Sequence, residues 1–339
     1  MSDPESTPRE LEQNISTAPE NMGAPGPGSP QTGLRPWGGG PSHLGTWDSG
    51  VPTTSPAELF QSWSQPEAVA PARIPHLGHL CLLGAFMLFG FVCMTVLMFV
   101  ALHFHWDGVT TQDQIKTNVH YLLGSEAVLY LITLALSIPL FPLLWGKNFF
   151  AGIHWRGATA LQLGWRVPAI ASGCFLLAGL DQWLLPGPEH APIEEIFRSP
   201  GAAWLMFAFG VTFAPFFEEI VFRGFMLPAL STAWDWAIEK SIGKPAPPLD
   251  TDGHLQWSIF AMVIASIVTS LPFALMHGEQ TGYSLGPFLQ VFAVSLVLCA
   301  VRFRTRSLAA STLVHACYNF LLFSTMLIGT GGFRHLDKL

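Results

Sequence analysis

The sequence is poor in charged residues. Only 12% of its 339 residues are Asp, Glu, Lys or Arg, whereas soluble globular proteins carry about 25%. Half of the residues are hydrophobic, and they are gathered in long runs of the length that a membrane-spanning helix needs, about 20 residues. These features exclude an ordinary soluble domain and predict an integral, multi-pass membrane protein.

Several kinds of functional motif are also missing. The chain has no basic cluster and no nucleic-acid-binding module, so we expect no nucleic acid partner. Its five cysteines lie inside apolar runs without a CxxC pair, which argues against a disulfide framework and against a cysteine metal site. The motifs HExxH, GxSG and GxGD, each typical of another class of intramembrane protease, are absent.

Composition divides the chain into four parts. Residues 1–75 are rich in Pro, Gly, Ser and Thr, and we predict a disordered tail because they bury too little apolar surface to offset chain entropy. Residues 76–199 and 200–328 carry the apolar runs, and 329–339 form a short C-terminal tail. The predicted fold is all-α: a multi-pass transmembrane helical bundle of about seven to eight spans.

Seven apolar segments are predicted to be spans. They are 80–102, 122–145, 166–186, 202–230, 257–276, 286–301 and 307–328. The sixth is near the lower length limit for a full span. Pro139 and Pro142 in the second segment, and Pro272 in the fifth, predict kinks or early helix ends.

Basic residues in the loops predict the orientation in the membrane. Arg73 precedes the first span, Lys147 follows the second, and Arg302, Arg304 and Arg306 are assigned to the loop between the sixth and seventh. These positions share one side of a seven-span bundle, so the positive-inside rule places the N-terminus in the cytoplasm. We expect the cell membrane for a prokaryotic protein and the endoplasmic reticulum for a eukaryotic one.

The stretch 213–230 carries three ionisable residues inside an apolar segment. Each costs on the order of 2.5–3.5 kcal/mol at the centre of a bilayer, which indicates a function. Glu219 and Arg223 are four residues apart, the spacing of a salt bridge on one helix face. Glu218 points elsewhere and is left as a candidate general base or metal ligand. The alternative is a structural ion pair with Glu218 solvated in a cavity.

Two further polar positions lie in apolar segments. His277 ends the fifth segment, where an interfacial histidine without a function is the simpler interpretation. In the predicted orientation Glu218 and His315 lie nearer the cytoplasmic side of the membrane, whereas His277 lies near the other end of its segment. For His277 to reach their depth, the fifth helix must begin late or end inside the protein. His315 and Asn319 share one face of the seventh segment; an interhelical hydrogen-bond pair is the alternative to a functional role.

Together these residues indicate attack of water on a carbonyl within the membrane. Glu218, His277 and His315 match the three-ligand set of one divalent, zinc-like ion with an open position for water. Alternatively no cofactor is used and Glu218 deprotonates the water directly. The histidines then orient the water or protonate the leaving amine, and Asn319 donates to the oxyanion.

Three motifs, in order, resemble those of the CPBP intramembrane proteases over about residues 200–325. They are Glu218-Glu219-x-x-x-Arg223, Phe273-x-x-x-His277 and His315-x-x-x-Asn319. This family includes the type II CAAX prenyl endopeptidases and bacterial relatives linked to bacteriocin immunity. The resemblance implies a protease core at 200–328 behind accessory helices at 76–199.

The resemblance also implies roles. Glu218 carries the base or ligand role, His277 and His315 orient the water or bind the metal, and Asn319 serves the oxyanion. Glu219, Arg223 and Phe273 support the site. The implied partners are membrane lipid and a membrane-associated or prenylated peptide or protein substrate. Two other hypotheses stay open: a non-catalytic scaffold or bacteriocin-immunity factor of the same fold, and a transporter with a proton-relay carboxylate.

Overall fold

The computed structural model describes residues 73–185, 199–244 and 256–335. Every regular element in these ranges is helical, and seven helical segments are long and apolar enough to cross a membrane. The first three spans are α1 (Leu77–His103), α2 (Val119–Trp145) and α3 (Arg166–Leu184). The predicted all-α, multi-pass bundle is therefore confirmed. The tail predicted at 1–75 lies, up to residue 72, outside the described residues.

The fourth span is composite. It runs from α4 (Pro200–Val211) through α5 (Phe213–Glu219), a π-helix (Ile220–Met226) and α6 (Leu227–Ile242). The last three spans are α7 (Ile259–Met276), α8 (Leu285–Thr305) and α9 (Leu308–Gly329). Helix α9 is central, because it contacts α3, α4, α5 and α8.

The structure differs from the span prediction in two details. A kink at each proline stays a prediction, but neither helix ends early: α2 continues through Pro139 and Pro142 to Trp145, and α7 continues past Pro272. This is common in membrane helices, where neighbouring groups satisfy the freed carbonyls. The sixth span is a full 21 residues, because α8 continues through Arg302 and Arg304, which we had assigned to a loop.

The length of α6 sets the depth of His277. Asp235, on α6, holds the start of α7 by accepting hydrogen bonds from Ser258 N at 3.0 Å and Ser258 Oγ at 2.6 Å. From Glu219 to Asp235 the chain descends about 24 Å, and from Ser258 to His277 it climbs back about 28 Å, at 1.5 Å per residue. Helix α7 thus begins well below Glu219 and returns His277 to roughly its level, after which residues 277–283 form turns.

The loop between α1 and α2 is held by Asp107. Its Oδ2 accepts a hydrogen bond from Asn118 Nδ2 at 2.7 Å and lies 2.8 Å from His120 Nδ1. Asn118 also caps α2 by accepting from the backbone N–H of His120 at 2.9 Å. The hydrogen bond from Asn118, and then that from His120, lower the pKa of Asp107 below its usual value. The charged form of this carboxyl therefore stabilises the start of α2.

We expect Asp107→Asn to lower the unfolding temperature at neutral pH by a small amount that vanishes in acid. A carboxyl with a lowered pKa in the folded state contributes stability above its unfolded pKa of about 3.9, and loses it as the pH falls through the folded value. Thermal unfolding of wild type and variant between neutral pH and about pH 3 measures this. Asp113→Asn, exposed in the same loop, is the control; an equal effect there would contradict the assignment.

Candidate active site

A break between α4 and α5 shapes the site. Pro215 has no N–H to donate to the carbonyl of Val211, and Thr212 leaves helical geometry with φ −117° and ψ −71°. At this break the Gly210 carbonyl accepts a hydrogen bond from Asn319 Nδ2 at 2.8 Å. A Cβ on Gly210 would lie 2.8 Å from the Phe323 ring, so glycine permits this close approach of α4 to α9.

Glu219 and Arg223 form the predicted ion pair. Arg223 Nη1 donates to Glu219 Oε1 at 2.8 Å, and both side chains are fully buried. The π-helix begins directly after Glu219; such wide turns are frequent at functional sites. The prediction from the i, i+4 spacing is therefore confirmed.

Arg223 also ties three helices together. Its Nη2 donates to Ser295 Oγ at 2.7 Å and to Ser295 O at 3.2 Å, both on α8. Ser295 Oγ donates in turn to Ser270 Oγ of α7 at 2.8 Å. The Arg223 guanidinium carbon lies 4.3 Å from the centre of the Phe273 ring, also on α7, a cation–π distance. This network fixes the position of Glu219.

His315 lies between the two glutamates. Its Nδ1 is 3.2 Å from Glu219 Oε1, and its Nε2 is 3.8 Å from Glu218 Oε2. Because an ionised carboxylate only accepts, Nδ1 carries the hydrogen and donates to Glu219. The distance from Nε2 to Glu218 is too long for a direct hydrogen bond and is a separation that a bridging water can span. The imidazole is buried, and the Glu218 side chain is 12% exposed.

Phe273 links the two histidines. Its ring centre is 5.8 Å from that of His315 and 4.8 Å from that of His277. His277 Nδ1 donates to the Phe273 carbonyl at 2.8 Å, since a carbonyl oxygen can only accept, and its Nε2 is therefore the unprotonated nitrogen of the neutral ring. The structure thus brings together Glu218, Glu219 and His315, and Phe273 contacts both His315 and His277.

The zinc-like ion predicted at Glu218, His277 and His315 needs these three side chains to lie close together. In the described ranges, no three His, Cys, Asp or Glu side chains are grouped so that they could hold a metal ion. The Phe273 carbonyl holds Nδ1–H of His277 and Glu219 holds Nδ1–H of His315, so Nε2 of each ring is the nitrogen that would bind a metal. The zinc-like ion therefore stays a prediction.

Two residues near Glu218 were not predicted from the sequence. Tyr130 of α2 stacks on Phe217 with ring centres 3.9 Å apart. Glu126, one turn earlier on α2, interacts electrostatically with Glu218. A carboxylate inside an otherwise apolar span is itself a signal of function, so Glu126 could have been found; Tyr130 could not, because aromatic residues are common in spans.

The order and spacing of these residues match a known family. Residues 200–321 match the family model described as type II CAAX prenyl endopeptidase Rce1-like. This part of the chain is an Rce1-like domain. The resemblance drawn from the three motifs is thereby confirmed, and the match supports a membrane-embedded protease, a hydrolase. No curated protein and no solved structure matches the chain.

The Rce1-like domain begins with α4 and ends within α9. It contains all seven motif residues and both serines of the Arg223 network. Glu126 and Tyr130 lie outside it, on α2. One helix of the accessory segment thus contributes to the surroundings of Glu218.

Proposed function

We propose that this protein is an intramembrane endopeptidase in which Glu218 activates the water that attacks the scissile carbonyl. The observation that carries the proposal is the pairing of Glu218 Oε2 with His315 Nε2 at 3.8 Å, at a partly accessible position within the bundle. A water bridging these two atoms is within reach of a base and of an imidazole whose orientation is already fixed.

Glu218 takes a proton from the water while the water oxygen forms a bond to the carbonyl carbon of the substrate. The resulting tetrahedral intermediate collapses when the C–N bond breaks, and Glu218 returns the proton to the leaving amine. His315 orients the water through Nε2, because Glu219 holds Nδ1–H on its other side. Glu219 in turn is fixed by Arg223. Water is thus the nucleophile, Glu218 the base and His315 the orienting group, an arrangement that resembles those of other hydrolases.

Asn319 and His277 have different roles in this mechanism. One N–H of the Asn319 amide donates to the Gly210 carbonyl, which leaves the second to donate to the oxyanion. His277 Nε2 is a hydrogen-bond acceptor while Nδ1–H is held by the Phe273 carbonyl. We therefore assign to His277 the positioning of the water and to Asn319 the stabilisation of the oxyanion.

For the substrate we propose a prenylated C-terminus, as the description of the family indicates. The test uses the full chain in phospholipid liposomes and a peptide ending in Cys and three further residues, with and without a farnesyl group on the cysteine. We expect release of the last three residues from the farnesylated peptide alone. Equal cleavage of both peptides would contradict the substrate assignment, and binding without cleavage would identify a non-catalytic membrane protein.

Chelation tests the activation of water by glutamate alone. We expect dialysis against EDTA or 1,10-phenanthroline to leave the cleavage rate unchanged, because the described side chains include no group of three that could hold a metal. The rate is measured on the farnesylated peptide before and after dialysis. Loss of activity that Zn²⁺ restores would instead support the predicted ion at Glu218, His277 and His315.

A further inference from the structure

A second polar region lies away from Glu218. A cavity of about 170 Å³ opens where α7 begins and α8 ends. Three arginines line it, with a histidine and two aromatic residues beside them: Arg156, Arg302, Arg306, His154, Trp257 and Phe303. One water needs only about 10–15 Å³ of such space, so the cavity has room for a larger polar group.

Arg302 is the unusual member of this set. Its side chain is only 3% exposed, and its Nε and Nη2 have no hydrogen-bond partner in the described parts of the chain. Buried charged groups are normally paired and hydrogen-bonded. Glu219 interacts with Arg302 electrostatically, but its hydrogen bonds are to Arg223 and His315. The donors of Arg302 thus point to a ligand.

The charge around Arg302 selects an anion. Arg156 carries the same charge and lines the same cavity. An oxyanion with several acceptor oxygens would accept from Nε and Nη2 of the planar Arg302 guanidinium, whose donors match phosphate geometry. The chemistry of the cavity is therefore that of a phosphate site.

We propose that this cavity binds the phosphate of an anionic membrane lipid. Arg302 lies in the last turn of α8, and Trp257 directly precedes Ser258, the N-cap of α7, so the cavity lies at the level where lipid headgroups meet the ends of spans. Basic pockets between spans are known to bind such headgroups. This proposal does not depend on the peptidase function.

Trp257 and Phe303 favour a lipid over free phosphate. Trp257 Nε1 donates to Thr232 Oγ1 at 3.1 Å, and its ring meets Phe303 edge-on with centres 5.8 Å apart. The aromatic pair gives the cavity an apolar wall beside its arginines, the combination that suits a headgroup with an attached acyl glycerol. Tryptophan is also the residue enriched at the bilayer interface.

The test compares thermal unfolding of the full chain in a neutral detergent with three probes: dioctanoyl phosphatidic acid, dioctanoyl phosphatidylcholine and inorganic phosphate. A ligand that binds only the folded state raises the unfolding temperature. We expect phosphatidic acid to raise it by at least about 2 °C and the other two probes to have little effect. The same titrations are run on Arg302→Leu and on Arg304→Leu, an exposed arginine of the same helix turn.

Arg302→Leu should abolish the shift given by phosphatidic acid, and Arg304→Leu should keep it. Without lipid, Arg302→Leu should unfold no lower than wild type, because it removes a buried charge whose Nε and Nη2 have no hydrogen-bond partner among the described residues. If Arg302→Leu does not fold, Arg302→Lys serves instead. It keeps the charge but loses the planar guanidinium donors, so phosphatidic acid should raise its unfolding temperature by less than that of wild type.

Three results would overturn the proposal. An unchanged shift in the Arg302 variant would show that the phosphate binds elsewhere. An equal shift with phosphatidylcholine would show that the anionic phosphate is not recognised. A full shift with inorganic phosphate alone would keep the phosphate site but overturn its assignment to lipid.

Discussion

Glu218→Gln is expected to lower the rate of peptide cleavage by about 10²- to 10⁴-fold, the usual contribution of a general base. The amide has the same shape but cannot take a proton from water. Glu218 lies 3.8 Å from His315 and is partly exposed, so the substitution should leave the unfolding temperature unchanged. Initial rates on the farnesylated peptide and thermal unfolding of the same preparation measure the two effects.

Asp181→Asn is the matched control for this prediction. Asp181 is also an acidic residue within a span, on α3, but it lies outside the Rce1-like domain. The same change from carboxylate to amide there should keep the cleavage rate within a few-fold of wild type. Cleavage by Glu218→Gln at the wild-type rate would remove Glu218 from the mechanism, and loss of activity in both variants would indicate damage to the fold.

Local spacing predicted the part of the site that helix geometry alone determines. Glu219 and Arg223 are four residues apart, and any helical turn places them on one face; the observed 2.8 Å hydrogen bond follows. The same argument separated Glu218 from Arg223, and in the structure Glu218 faces His315. The number of spans was predictable for a similar reason, because span length depends on bilayer thickness.

Contacts between distant segments were not predictable in this way. The hydrogen bond from Arg223 to Ser295 joins residues 72 apart, and that from Asn319 to Gly210 joins residues 109 apart. Neither serine nor glycine stands out in a span by its type. The depth of His277 depends on the length of α6, which continues to Ile242. Hydropathy could not predict this length because α6 becomes polar towards its end.

Arg223→Met is expected to destabilise the protein by about 3–5 kcal/mol, the cost of breaking a buried ion pair by removing one partner. Arg223 is fully buried and donates to Glu219 and Ser295, so its loss leaves the Glu219 carboxylate in a low-dielectric site without its counter-ion. Equilibrium unfolding in mixed detergent micelles measures the change in free energy. Arg304→Met, an exposed arginine, should stay within about 0.5 kcal/mol of wild type.

The double variant Glu219→Gln with Arg223→Met separates the ion pair from simple loss of packing. Once both charges are gone no uncompensated carboxylate remains, so the double variant should be more stable than Arg223→Met alone. The loss in the double variant should differ from the sum of the two single losses by an interaction energy of about 0.5–3 kcal/mol. Cleavage should nevertheless stay low, because a neutral amide no longer holds the His315 Nδ1–H as the carboxylate does. Additive losses in the two single variants would instead mean that Arg223 acts through its contacts with Ser295 and Phe273. Recovered stability without recovered cleavage would place the role of the pair in orienting His315.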